Sequence, residues 1–163
     1  MSAYGEPDVH IPPIGAGAAS GKPLQRILVP VNSSGRALAL AAQLSTAVDG
    51  QLRVIHVRVW DAAGRNGAGR FFGETNEQAT AALDKALTSV WACGVAASGV
   101  VVDAPRSWLA RVIAAEARSW GAGVMVVARR RRTAIGAMML GSLPDQLMRQ
   151  SHCPVLTTRQ VRR

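Results

Sequence analysis

The stretch VVARRRRTAIGAMMLGS, residues 126–142, decides how the chain is read. An apolar run ends at Ala128, four arginines follow without a break, and a small-residue loop leads to Gly141-Ser142 at the start of a helix pattern. Strand, loop and helix N-terminus in that order is where α/β proteins hold phosphates. The free N–H groups of a helix's first turn and its dipole both favour an anion.

Working outward, the same unit repeats. RILVPV (26–31) is a continuous β-rich run, as in a parallel strand buried on both faces. Ser33 or Ser34 then caps a helix that reaches about Val48 and buries Leu40, Leu44 and Val48, with Asp49-Gly50 ending it. QLRVIHVRVW (51–60) is a second strand, and residues 61–73 read as a flexible loop. The next helix is the clearest in the chain: Ala79, Ala82, Leu83, Ala86, Leu87, Val90 and Trp91 recur at helical spacing. SGVVVDA (98–104) is a third strand, broken by Pro105. Ser107 caps a helix with Leu109, Val112, Ile113 and Trp120 on one side. GVMVVA (123–128) is a fourth strand, Ser142 caps a short helix to about Gln150, and CPVLTTR (153–159) is a fifth strand. Alternation of this kind specifies a single-domain α/β fold: an open, parallel, five-stranded, Rossmann-like sheet with helices on both faces. We read residues 1–23, rich in Gly, Pro and Ala, as a flexible tail, 24–159 as the domain and 160–163 as a basic end.

Composition narrows the function classes. No apolar run approaches the roughly 18 to 20 residues of a membrane span, and the first residues lack the basic start and apolar segment of a signal peptide, which points to the cytoplasm. GAGAASGKP in the tail imitates a phosphate-binding P-loop, but Pro23 stands where Ser or Thr must bind magnesium and no strand precedes it. Cys93 and Cys153 have no metal or redox spacing and read as buried, reduced thiols. The formal net charge is +9, and from Arg129 onward eight arginines face one acid, Asp145. An anion is the expected partner: a nucleotide, polyphosphate, nucleic acid or an acidic protein surface.

Four segments together resemble the universal stress protein (UspA-like) family: ILVPVNSS, VIHV (54–57), the run DAPRSWLARVIAAEARSWGAGVMVVA, and MLGS (139–142) followed by SHCPVLTT (151–158). They span residues 24–158 in order. The resemblance implies an adenine-nucleotide-hydrolase-like fold, a bacterial stress-response protein and a nucleotide site formed by Pro30, Asn32, Val57, Val127, Ala128, Arg131, Gly141, Ser142 and Leu143. The family's ATP-binding branch carries Gly-x-x-Gly, nine residues and then Gly-Ser or Gly-Thr. Here Ala128 and Arg131 stand at the two earlier glycines, and Asn32 at the family's aspartate. A glycine permits positive φ and close approach of a phosphate, so ATP in the family's pose is disfavoured. ATP in another pose, AMP, cyclic AMP or another anion held by Arg129–Arg132 stays open as cofactor. Ser142 with Asp145 also reads as a plain capping pair.

No Ser-His-Asp grouping or metal-like acid cluster is legible, and His56 reads as a core or edge residue, so the chain reads as a non-enzyme. Two functions compete. One is a regulatory protein sensing a nucleotide or other phosphate-bearing anion at the loops after the first and fourth strands. The other is a ligand-free dimeric scaffold acting through its arginine face. Nucleic acid is the least supported partner, because aromatic residues are few and not interleaved with the arginines. The resemblance implies a homodimer, and the short apolar last strand, with Pro154, Val155 and Leu156, suits a paired sheet edge.

Overall fold

The computed structural model describes residues 23–31, 35–63, 69–129 and 142–159. The tail, Asn32, the Ser33/Ser34 cap, Arg130–Arg132, Gly141 and residues 160–163 lie outside these. Five parallel strands are present as the alternation predicts: β1 (Arg26–Pro30), β2 (Gln51–Ala63), β4 (Ala97–Pro105), β5 (Val124–Arg129) and β6 (Val155–Arg159). A sixth strand corrects the reading of 61–73 as a flexible loop. β2 continues to Ala63, and β3 (Gly69–Phe72) returns antiparallel beside it, with Phe72 opposite Trp60. Aromatic cross-strand pairs stabilise such a ribbon. The sheet is therefore mixed and six-stranded among the described residues.

The helices are α1 (Gly35–Ala47), α2 (Asn76–Trp91), α3 (Leu109–Trp120) and α4 (Leu143–Gln150). The parallel strands run in the order β4-β2-β1-β5-β6. Trp60 has Pro105 of β4 on one side and Phe72 of β3 on the other. β3 therefore lies on the β1 side of β2, above the point where β1 ends.

Side chains alternate between the two faces. Ile27, Val29, Leu52, Val54 and Val126 pack under α1 and α2, while Leu28, Ile55, Met125 and Val127 pack under α3 and α4. Burial on both faces is why these strands read as unbroken apolar runs. The α1 reading needs a correction. Its fully buried face is Ala37, Ala41, Ala42 and Ser45, while Leu40, Leu44 and Val48 are partly buried around the rim of that contact. Small residues let the helix sit close to the sheet, and the longer side chains reach down its flanks.

Three further readings are corrected. Trp91 is 53% exposed rather than core. α2 ends at the outer edge of the sheet, where the Trp91 indole N–H donates to the Ala97 carbonyl of β4 at 3.1 Å. Ser107 does not cap α3: Arg106–Trp108 form one 3₁₀ turn, and Trp108 stands at the N-cap without a side-chain bond. Cys93 is exposed on the last turn of that edge, while Cys153 is half-buried; both are free thiols.

One buried ion pair ties sheet to helix. Arg53 Nε of β2 donates to Glu116 Oε1 of α3 at 2.8 Å, and Glu116 is 8% exposed. Removing one partner strands the other's charge in a site it entered only as a pair. Glu116→Ala is expected to lower stability by about 3 kcal/mol in urea unfolding, and Glu116→Gln, which keeps an acceptor for Arg53, by clearly less.

Candidate functional site

The winding of the sheet reverses between β1 and β5, and the carboxyl ends of those strands border the crevice where open α/β sheets bind ligands. Pro30 shapes this crevice. Odd residues of β1 bond to β2, as in Val31 N–H to the Ile55 carbonyl at 2.8 Å. Even residues face β5, and Pro30 has no N–H to offer on that side. The β1–β5 pairing accordingly stops at Leu28 opposite Met125, whereas pairing with β2 continues to Pro30 opposite Ile55. The two central strands thus part just where a ligand would enter.

On the other flank, β2 runs eight residues beyond Ile55, and β3 joins it only from Trp60. Among the described residues, 56–59 of β2 have no strand opposite them on the β1 side. By the alternation of the ladder, the main-chain N–H and C=O groups of Val57 and Val59 point to the β1 side. The side chain of Val57 packs with Val127 and Leu143 on the α3–α4 face.

The third wall is the start of α4. Ser142 is its N-cap and forms a capping box with Asp145: the Asp145 N–H donates to Ser142 Oγ at 3.3 Å, and the Ser142 N–H donates to Asp145 Oδ2 at 3.2 Å. The Ser142 hydroxyl also donates to that carboxylate, at 2.5 Å. Pro144 occupies the second helical position, where a missing N–H costs nothing. These bonds, helped by Arg129 and Arg149, hold the Asp145 carboxyl below the usual carboxylate range. The helix N-terminus already holds an anion, from its own chain.

Of the nine residues assigned to the site from the sequence, six can be placed. Pro30 ends β1 and is buried, Val57 lies in β2, Val127 and Ala128 are buried in β5, and Ser142 and Leu143 begin α4. All six gather at the carboxyl end of β1, β2 and β5. Asn32, Arg131 and Gly141 lie outside the described residues. Ala128 faces the α1 side with Val126, while Val127 faces α3 and α4. Adjacent residues of one strand therefore line opposite faces.

Sequence reasoning missed the polar rim around the crevice. His56 Nε2 and Glu74 Oε1 lie 2.7 Å apart, linking β2 to the turn before α2. The His56 ring is 12% exposed, and its Nδ1 is buried without a partner among the described residues. Arg58 holds Asp103 through two bonds, at 2.7 and 2.5 Å, and stacks over Phe72. Arg106 grips Asp61 from the turn before α3. None of these partners is near in sequence, so no local pattern could reveal them. Among the described residues no group of three or more His, Cys, Asp or Glu could hold a metal ion, and no helix is long and apolar enough to cross a membrane.

The capping box gives a pH prediction with a definite sign. Asp145 has a lower pKa folded than unfolded, so its stabilising contribution is present above the unfolded value, about 3.9, and is lost as pH falls through the folded one. Acid unfolding followed by circular dichroism is expected to show a shallower dependence on pH below about 4 for Asp145→Asn than for the parent chain.

The family model for the universal stress protein family matches residues 23–159. No curated protein matches the chain. Solved structures resemble it in fold. A universal stress family protein from Burkholderia pseudomallei has 23% identity and a TM-score of 0.62, covering 85% of this chain and 98% of that one. A universal stress protein in complex with cAMP has 20% identity and a TM-score of 0.64, over 85% and 98%. The universal stress protein from Archaeoglobus fulgidus in complex with dAMP has 18% identity and a TM-score of 0.61, over 82% and 96%. With the family model spanning nearly the whole described chain and the reversed sheet winding in place, this protein belongs to the universal stress protein family.

Proposed function

We propose that this chain is a regulatory, non-catalytic protein of the cytoplasm that senses a nucleotide or related phosphate-bearing anion in the crevice between β1 and β5, at Pro30, Asn32, Val57, Val127, Ala128, Arg131, Gly141, Ser142 and Leu143. The observation that carries this reading is that, among the described residues, no strand pairs with Val57 and Val59 on the β1 side, with the Ser142 helix start at the same end of the sheet. A strand main chain with a free N–H and C=O can pair with the edge of a base. A helix N-terminus a short distance away can receive a phosphate. The relatives in complex with cAMP and dAMP support the same class of ligand.

A nucleotide with one phosphate fits this chain better than ATP. Ala128 and Arg131 replace the glycines that would let a longer phosphate chain lie against the loop, and the Asp145 carboxylate already satisfies part of the helix end. That last contact also favours the second reading, a scaffold without a ligand. Thermal-shift measurements with AMP, cyclic AMP, ATP and inorganic polyphosphate separate the two. A ligand at a hundred times its Kd stabilises by about 2.7 kcal/mol, or roughly 5–10 °C for a domain of this size. We expect the larger shift with AMP or cyclic AMP and none in Ser142→Asp, which remains a competent N-cap but adds a second negative charge. Equal melting with every compound supports the scaffold.

The protein is expected to be a homodimer through β6. Its outer edge is unpaired among the described residues, and Leu156 beside it is 40% exposed. The opposite edge, β4, is blunted: Trp91 takes the Ala97 carbonyl, Asp103 is charged, and Pro105 offers no N–H. Light scattering at micromolar concentration is expected to give a dimer for the parent chain and a monomer for Leu156→Arg; a monomeric parent would overturn this reading.

A further inference from the structure

Two aromatic platforms crown the sheet beside the crevice. On the β2–β3 ribbon, the Arg70 guanidinium lies 4.8 Å over the Trp60 ring. At the start of α3, the Arg111 guanidinium lies 4.9 Å over the Trp108 ring. Trp60 is in register with Pro105 of β4, and Trp108 follows Pro105 by three residues. The platforms therefore crown adjacent strands, one on each face of the sheet.

Both arginines are exposed, and neither has an acid partner among the described residues. Each guanidinium lies over an indole ring while its residue as a whole is exposed to solvent.

All four helices direct their N-termini to this end of the sheet. Arg36, in the first turn of α1, and Arg129, at the end of β5, are exposed there as well. Two acids of the same rim are paired with arginines, Asp61 with Arg106 and Asp103 with Arg58, while Glu74 is bonded to His56 and Asp145 to Ser142. Glu77, in the first turn of α2, is the remaining one among the described residues. The rim thus offers four exposed arginines, two of them set over indole rings, to a partner with repeated negative charge and flat faces.

We propose that this rim binds single-stranded nucleic acid, with Arg70 on Trp60 and Arg111 on Trp108 as two stacking platforms. Bases stack on guanidinium planes as well as on aromatic rings, and the N–H edges of the same groups reach the phosphates. An acidic peptide matches the charge but has no π-faces for the platforms. A duplex keeps its bases stacked on one another, so they are not free to lie on the platforms.

Fluorescence anisotropy of a labelled oligothymidylate of about 20 nucleotides, with the full chain, tests this. Binding by the parent chain is expected, with Arg70→Ala and Arg111→Ala together weakening it at least tenfold. The log–log salt slope should become shallower by about 0.7 for each arginine removed. Arg118→Ala, an exposed position near the other end of α3, removes the same charge and should leave affinity within twofold. Equal loss in Arg118→Ala, a duplex bound as tightly as the single strand, or binding of inorganic polyphosphate without the oligonucleotide would each overturn the proposal. The AMP thermal shift of the double variant, expected unchanged, separates this surface from the crevice.

Discussion

The architecture of the candidate site depends on one missing hydrogen. Pro30 stands at the end of the central strand with its nitrogen turned toward β5, and it has no N–H to donate. The ladder to β5 closes early, the ladder to β2 does not, and the crevice opens between strands that are otherwise packed together. The cost is small because Pro30 is the last residue of its strand, where a lost ladder bond disturbs nothing further along. β2 then supplies the far wall, since it outruns β1 by eight residues and bends back as a ribbon only from Trp60. Among the described residues, Val57 and Val59 lack a partner strand on that side because β2 is longer than β1.

Charge is arranged by the same geometry. A parallel sheet flanked by helices sends every strand's carboxyl end and every helix's N-terminus to one rim. Acids and bases far apart in sequence meet there, and most of the acids are taken up in pairs that fasten the ribbon and the helix starts: His56 with Glu74, Arg58 with Asp103, and Arg106 with Asp61. The Arg106–Asp61 pair is exposed and contributes little to stability alone. Arg70 and Arg111 take part in none of these pairs. Arg53 with Glu116, at the opposite end and nearly buried, is the pair on which stability depends more strongly.

The sequence was informative where a short-range rule applies. Apolar runs of β-branched residues marked all five parallel strands, the Ser142-to-Asp145 spacing marked the capping box, and helical spacing marked the face of α2 up to Val90. It misled where packing overrides pattern. Trp91 continues the apolar spacing of α2 but lies past the edge of the sheet, so it covers an edge strand instead of entering the core. In α1 the leucines looked like the core face, yet the alanines are buried, because close approach of helix to sheet rewards small side chains. Residues 61–73 lacked a clean alternation, and β3 depends on Trp60 meeting Phe72 and on two arginines stacking across the ribbon.

By itself, then, the sequence determined the fold class and the order of its parallel strands and helices. Both follow from neighbours within a few positions along the chain. Only the tertiary structure decided how wide the crevice opens, which acids are already engaged and which arginines stand over aromatic rings. Those properties rest on contacts between residues that are distant along the chain, as Arg58 is from Asp103, or that no periodic pattern aligns, as with Arg70 and Trp60. Strand register and helix placement bring them together, and both are fixed only when the sheet buries its two faces.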